Sequence, residues 1–181
     1  MDGLIEVRGK MFFRCWLFLA TFGFGAASLW LFYMGMTFQT KYYLLAIPAG
    51  LFFSLFFFTL FLIVFPAFTK KGNVIFNIIE GENGRLFSGK KSVDIKDMKS
   101  IRMDWHRYSL KGIFLMDVLI RTRENRMVRI PTYNILPEPA FYKAVELHIL
   151  PHMTEEARQD WIGQFTDAQR NAYLKEFDKD R

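Results

Sequence analysis

The sequence predicts a membrane-spanning helical hairpin followed by an α+β domain of soluble character. Three observations carry this expectation. Two long runs near the start, Cys15 to Thr40 and Tyr42 to Thr69, contain no Asp, Glu, Lys, Arg or His. Beyond Gly72 the apolar pattern shortens into β-branched stretches bounded by turn residues. A segment of helical periodicity then stands between Pro137 and Pro151.

Residues 1–14 read as a cytoplasmic N-terminal segment. The first uncharged run predicts a transmembrane helix over 15–38, and the second predicts one over 44–69, joined by a short outer loop at 39–43. The hydrocarbon core of a bilayer needs about 20 apolar residues of helix, and each run is longer than that. The first run also exceeds the apolar region of about 7–15 residues found in cleaved signal peptides, so it reads as a retained helix. Arg8, Lys10 and Arg14 precede the first helix, Lys70 and Lys71 follow the second, and only Lys41 lies between the helices. The positive-inside rule then puts both termini in the cytoplasm. Trp16, Tyr33, Tyr42 and Tyr43 stand where aromatic side chains anchor at the membrane interface. The small residues Gly23, Gly25, Ala26, Ala27 and Ser28 are expected to receive the rings of Phe52, Phe53, Phe56 and Phe57. The alternative use of Gly23-x-x-x-Ala27 and Ala46-x-x-x-Gly50 is a homodimer through the hairpin. Neither span holds a charged residue, which argues against a channel or transporter.

The domain at 72–153 begins with the strand Val74–Ile79 and the turn Gly81–Gly84. Arg85-Leu86-Phe87 returns, Ser88-Gly89-Lys90-Lys91 turns, and Ser92–Ile95 forms another short strand. The alternating Ile101–Trp105 and the strongly apolar Phe114–Thr122 come next, and Arg123–Arg126 turns into Met127–Pro131. Strand spacing of about 8–12 residues predicts a meandering antiparallel sheet. Pro137-Glu138-Pro139 starts a helix whose apolar face is Phe141, Val145, Leu147 and Ile149. The tail at 154–181 reads as two short helices, the first presenting Ala157, Trp161 and Phe165, the second opening on Thr166-x-x-Gln169 and presenting Ala172, Tyr173 and Phe177.

This order resembles the bacterial pleckstrin-homology-like (PH-like) domains, an antiparallel sheet or barrel closed by a C-terminal helix. The residues that carry the resemblance are the strand pair Val74–Phe87, the segment Val93–Ile101 with Ile95, Met98 and Ile101 in register, the hairpin Val118–Ile130, and the helix from Glu138. It covers Val74 to Ile149. Small bacterial membrane proteins of unknown function place such a domain after a two-helix hairpin, which implies a multi-pass protein of the bacterial inner membrane.

Charge narrows the partners. The net charge is +6. Residues 1–71 hold six basic against two acidic residues, residues 72–153 thirteen against nine, and the tail five against seven. The basic excess thus lies beside the membrane and on the following domain. A mixed-sign surface without a basic block argues against nucleic acid, and membrane lipids are the expected partners of these charges. Lys70, Lys71, Lys90 and Lys91 are the candidate contacts to anionic lipid. Lys96, Lys99, Arg102, Arg121, Arg123, Arg126 and Arg129 read as a solvated basic surface on turns and strand edges.

Catalytic and cofactor chemistry find no candidates. The sequence has no nucleophile elbow and no glycine-rich phosphate loop. His148 and His152 are four residues apart, but Pro151 intervenes and no third ligand is near, so no metal site is expected. Cys15 is the single cysteine, placed where S-acylation occurs in other membrane proteins and expected to be a buried, inert thiol. The expectation is a non-catalytic binding or scaffold module with an unidentified protein partner. The alternative is a membrane-integral protection or immunity factor that binds a toxin or envelope component.

Overall fold

A computed structural model describes residues 3–81, 83–105 and 115–165 of the chain. His106, the start of the strand expected from Phe114, and the second tail helix lie outside the described residues. The chain divides into two units, Lys10–Gly72 and a second made of Met1–Gly9 with Asn73–Arg181.

The first element is unforeseen. Leu4–Arg8 is a strand, β1, in the segment read as a cytoplasmic flank. Ile5-Glu6-Val7-Arg8 alternates apolar and polar with the period of a strand, and Val7 is buried on the inner face.

Two helices long and apolar enough to cross a membrane follow: α1, Met11–Met36, and α2, Tyr43–Phe68. The described helix α1 begins four residues before the predicted start at Cys15. It contains a π turn at Leu19–Gly23, and α2 ends in a 3-10 turn at Phe65–Phe68. Their outward faces are apolar; Leu44, Leu45 and Leu62 are each at least 70% exposed. Small residues make the seam. Thr21, Gly25 and Gly35 are buried on α1, and Ala46, Gly50, Ser54 and Val64 on α2. A methyl group added at Gly50 would stand 2.5 Å from the Phe32 backbone nitrogen.

The expected docking of rings onto small residues occurs in shifted register. Of the small cluster on α1, Gly25 alone is buried, and it meets Phe58. Phe24 stacks on Phe57 at 5.5 Å, whereas Phe52 and Phe53 face outward. The π turn explains the shift, because its extra residue rotates the face that follows. Ala46 and Gly50, one of the two small-residue pairs considered for a homodimer, are occupied within the chain. The hydroxyls of Thr21 and Ser54 donate to the Leu17 and Leu51 carbonyls of their own helices, which satisfies them in an apolar setting. Arg14 donates to the carbonyl oxygens of Ala67 and Phe68 at 3.1 and 3.0 Å. It thereby fills acceptors that a helix end leaves open.

The other unit is antiparallel. Strands β2 (Val74–Ile79), β3 (Arg85–Ser88) and β4 (Lys91–Asp94) extend from β1 in the order β1-β2-β3-β4. Strands β5 (Met98–Trp105), β6 (Met116–Thr122) and β7 (Met127–Pro131) form a three-stranded sheet in that order. The expected meander is therefore observed, split into two sheets and led by β1. Helix α3, Glu138–Ala144, continues through a π turn at Val145–Ile149, and α4 spans Glu155–Gly163. Phe76, Ile78, Ile101, Ile120, Ile130 and Phe141 are at most 1% exposed and form the core. The first tail helix joins it: Trp161 is buried, its ring 6.0 Å from Phe141, and Gln164 donates to the Ile101 carbonyl at 3.3 Å.

One buried ion pair crosses the outer face of the second sheet. Asp117 on β6, 1% exposed, accepts from the Arg129 guanidinium on β7. Asp117→Ala removes the partner of a largely covered cation, and we expect a loss of about 2–3 kcal/mol in urea unfolding. The isosteric Asp117→Asn keeps an acceptor and should lose less.

Candidate functional site

The strand register gathers basic residues at one end of the first sheet. Arg8, the last residue of β1, pairs with Val74, the first of β2, after a bulge between Val7 and Arg8. The Gly9 N–H then donates to the Asn73 carbonyl at 2.9 Å. The chain therefore leaves β1 into the helical hairpin and returns from it directly into the neighbouring strand. β2 runs away from this end, and β3 returns to it: Asn77 pairs with Phe87, and the Ser88 hydroxyl donates to the Ile75 carbonyl at 2.6 Å. The turn from β3 to β4 closes here, with Gly89 at φ +57° and Ser88 opposite Lys91. A left-handed residue is what so tight a turn requires, and glycine adopts it without steric cost.

Lys90 and Lys91 are thus at the sheet end where the hairpin departs and returns, and both are exposed. The Lys91 ammonium donates to the Arg129 carbonyl, so its stem is directed along the domain. Lys70 and Lys71 are exposed and stand just ahead of β2 in the chain, in the hairpin unit. Arg8, a flanking charge of the hairpin, shares the sheet end with Lys90 and Lys91. Its guanidinium pairs with Glu6 at 2.5 Å.

The other candidates have structural settings. His148 lies 2.6 Å from the Glu80 carboxylate, tying the helical segment after α3 to the end of β2. Among the described residues no group of three His, Cys, Asp or Glu side chains could hold a metal. Cys15, expected to be buried, is instead exposed on the first turns of α1, where no residue from Met11 to Phe18 is buried. Tyr142 is pushed up to about 12, first by burial and then by the Glu138 carboxylate beside it, so it stays a neutral phenol. Arg102 and Arg121, expected on turns and edges, lie within β5 and β6.

A single family model matches residues 3–171, from β1 through the hairpin and both sheets into the tail. The chain belongs to DUF5381, a family of unknown function. The chain is similar to the uncharacterized lipoprotein YfjD of Bacillus subtilis (strain 168), with 60% identity over 97% of this chain and 95% of the relative. It is also similar to the uncharacterized protein YfjE of the same organism, at 49% identity over 79% of this chain and 94% of the relative. No solved structure matches this chain.

Proposed function

We propose that this DUF5381 protein is a non-catalytic binding or scaffold module whose PH-like domain is fixed to the cytoplasmic face of the bacterial cell membrane by a multi-pass hairpin. The observation that carries this reading is the insertion of the hairpin between two hydrogen-bonded strands. A pair of helices that leaves from β1 and returns to β2 has both ends on the side of the bilayer where the sheet folds. The loop at 37–42 is then on the opposite side. Five basic residues at the hairpin's feet against Lys41 in the loop support a cytoplasmic sheet side. The order of a four-stranded sheet, a three-stranded sheet and a following helix supports the PH-like reading.

The name of the relative YfjD, lipoprotein, agrees with membrane association. In this chain the hairpin supplies the attachment. Cleavage ahead of Cys15, as lipid modification of a new N-terminal cysteine would need, removes β1 and uncovers the edge of β2.

Lys90 and Lys91, with Lys70 and Lys71, meet anionic headgroups at the membrane surface in this reading. Near such a surface each basic residue contributes about 1 kcal/mol, and tethering makes even weak contacts effective. Flotation tests this with a chain in which residues 10–72 are replaced by a short turn. It should float with anionic vesicles and not with neutral ones, and Lys90→Gln with Lys91→Gln should weaken binding by about 30-fold, the equivalent of 2 kcal/mol. Equal flotation with both vesicle types would end the lipid-contact reading.

A further inference from the structure

We propose that the outer face of the β5-β6-β7 sheet holds a phosphate group between Arg102 and Arg121. The register sets this up. Ser100 on β5 pairs with Arg121 on β6, and Arg102 pairs with Leu119, so all four share the face opposite the core. Met127 on β7 pairs with Arg121 and extends the same row. The C-terminal end of α4 walls one side. These residues, with Asp160 and Gln164, line an open cleft of about 210 Å³.

Charge on this face is unbalanced at the cleft. Asp117, the carboxylate nearest the centre of the sheet, is taken up by Arg129. The Asp160 carboxylate accepts from the Gln164 amide at 3.1 Å, and that amide also donates to the Ile101 carbonyl at 3.3 Å, which fixes it against β5. Arg102 is 52% exposed and makes a loose, solvent-exposed ion pair with Asp104 at 3.8 Å, which leaves donors of its guanidinium open. Arg121 is exposed and has no carboxylate within ion-pair distance among the described residues. Two guanidinium forks on neighbouring strands, diagonal to one another, present planar sets of donors suited to a tetrahedral oxyanion. The Ser100 hydroxyl adds a donor, and Leu119, 5% exposed, gives a floor that limits hydration from below. The volume is below the roughly 300–1,000 Å³ of drug-sized sites and suits one phosphate and a few attached atoms. Asp160 at the rim opposes negative charge, so the two arginines must outweigh it, which limits the cleft to one phosphate group rather than a polyanion.

The phosphate comes from a soluble ester or from a phospholipid headgroup, and one experiment separates the two. The full chain in uncharged detergent is titrated with inorganic phosphate and with glycerol 3-phosphate, by calorimetry. We expect saturable binding, weakened about ten-fold or more in Arg121→Gln and in Arg102→Gln, the scale of one charge-assisted contact. Lys90→Gln with Lys91→Gln should bind as the parent does, which separates this site from the lipid contact proposed above. The same variants are then placed in nanodiscs of phosphatidylcholine with and without phosphatidylglycerol. Competition by phosphatidylglycerol that depends on Arg121 assigns the headgroup as the source; its absence assigns a soluble ester. No saturable uptake by the parent chain, or an unchanged affinity in both arginine variants, overturns the proposal.

Discussion

Deleting residues 3–9 is expected to unfold the sheet domain, whereas replacing Lys10–Gly72 with a short turn leaves it folded and soluble. β1 contributes five register pairs with β2, from Leu4 opposite Ile79 to Arg8 opposite Val74. Its loss leaves β2 as a bare edge. It also removes the cover that Val7, 8% exposed, gives to the inner face beside Phe76. Burying one such side chain is worth about 1.5–3 kcal/mol, and each net ladder hydrogen bond adds about 1. The deletion should therefore cost at least about 4 kcal/mol, against a total of about 5–15 for an ordinary domain. Replacing the hairpin does the opposite: the Gly9 N–H and the Asn73 carbonyl are already hydrogen-bonded, so a turn of a few residues closes the gap. Circular dichroism and urea unfolding of the two chains give the comparison. Cooperative unfolding of the deletion chain at parent stability would show that β1 is dispensable.

Gly50→Leu is expected to force the hairpin apart without touching the sheets. The added carbon would lie 2.5 Å from the backbone nitrogen and 2.7 Å from the α-carbon of Phe32. No rotamer change in a neighbour relieves a clash with backbone, so the helices must separate. Their axes should move about 2 Å toward the usual 8–10 Å, at a cost of about 3 kcal/mol, the upper end for overpacked sites. Membrane helices associate through close packing rather than through exclusion of water, so little offsets that loss. Spin labels on outward positions, Leu29→Cys in α1 and Phe52→Cys in α2 with Cys15→Ser, report the distance. Gly23→Leu is the control, because the nearest neighbour of Gly23 is Leu19 of its own helix. It should leave the distance unchanged.

The hairpin and six strands were legible because each is marked within its own residues. Uncharged length marks the helices, and glycine-bearing turns such as Gly81–Gly84 and Ser88–Lys91 bound the strands. β1 was not legible for a physical reason. Its alternation spans only Ile5 to Arg8, too short to stand alone, and its partner Ile78 is supplied from beyond both apolar helices. The flanking charges of the hairpin were visible, and a strand beside them had no local signal to compete. The seam of the hairpin was half legible. Small residues facing rings were expected, but the π turn at Leu19–Gly23 changed which of them face inward.

The basic residues divide in the same way. Lys90 and Lys91 were placed on their turn by Ser88-Gly89, a local signal. That this turn shares a sheet end with Arg8 and Val74 follows only from register. Arg102 and Arg121 were expected on turns and strand edges with the other basic residues of the domain. Their common face depends on the pairing of Arg102 with Leu119 and of Ser100 with Arg121.

Labelling of intact cells with a membrane-impermeant maleimide tests the central claim, that the hairpin inserted between β1 and β2 holds the domain and both its feet on the cytoplasmic side. Single cysteines are introduced in a Cys15→Ser background at Gln39 in the outer loop, Gly3 before β1 and Ser92 in β4. The account predicts labelling at Gln39→Cys alone, with Gly3→Cys and Ser92→Cys reacting only after the cells are opened. Labelling of Gly3→Cys and Ser92→Cys on opposite sides of the membrane, or of Ser92→Cys from outside, would contradict it.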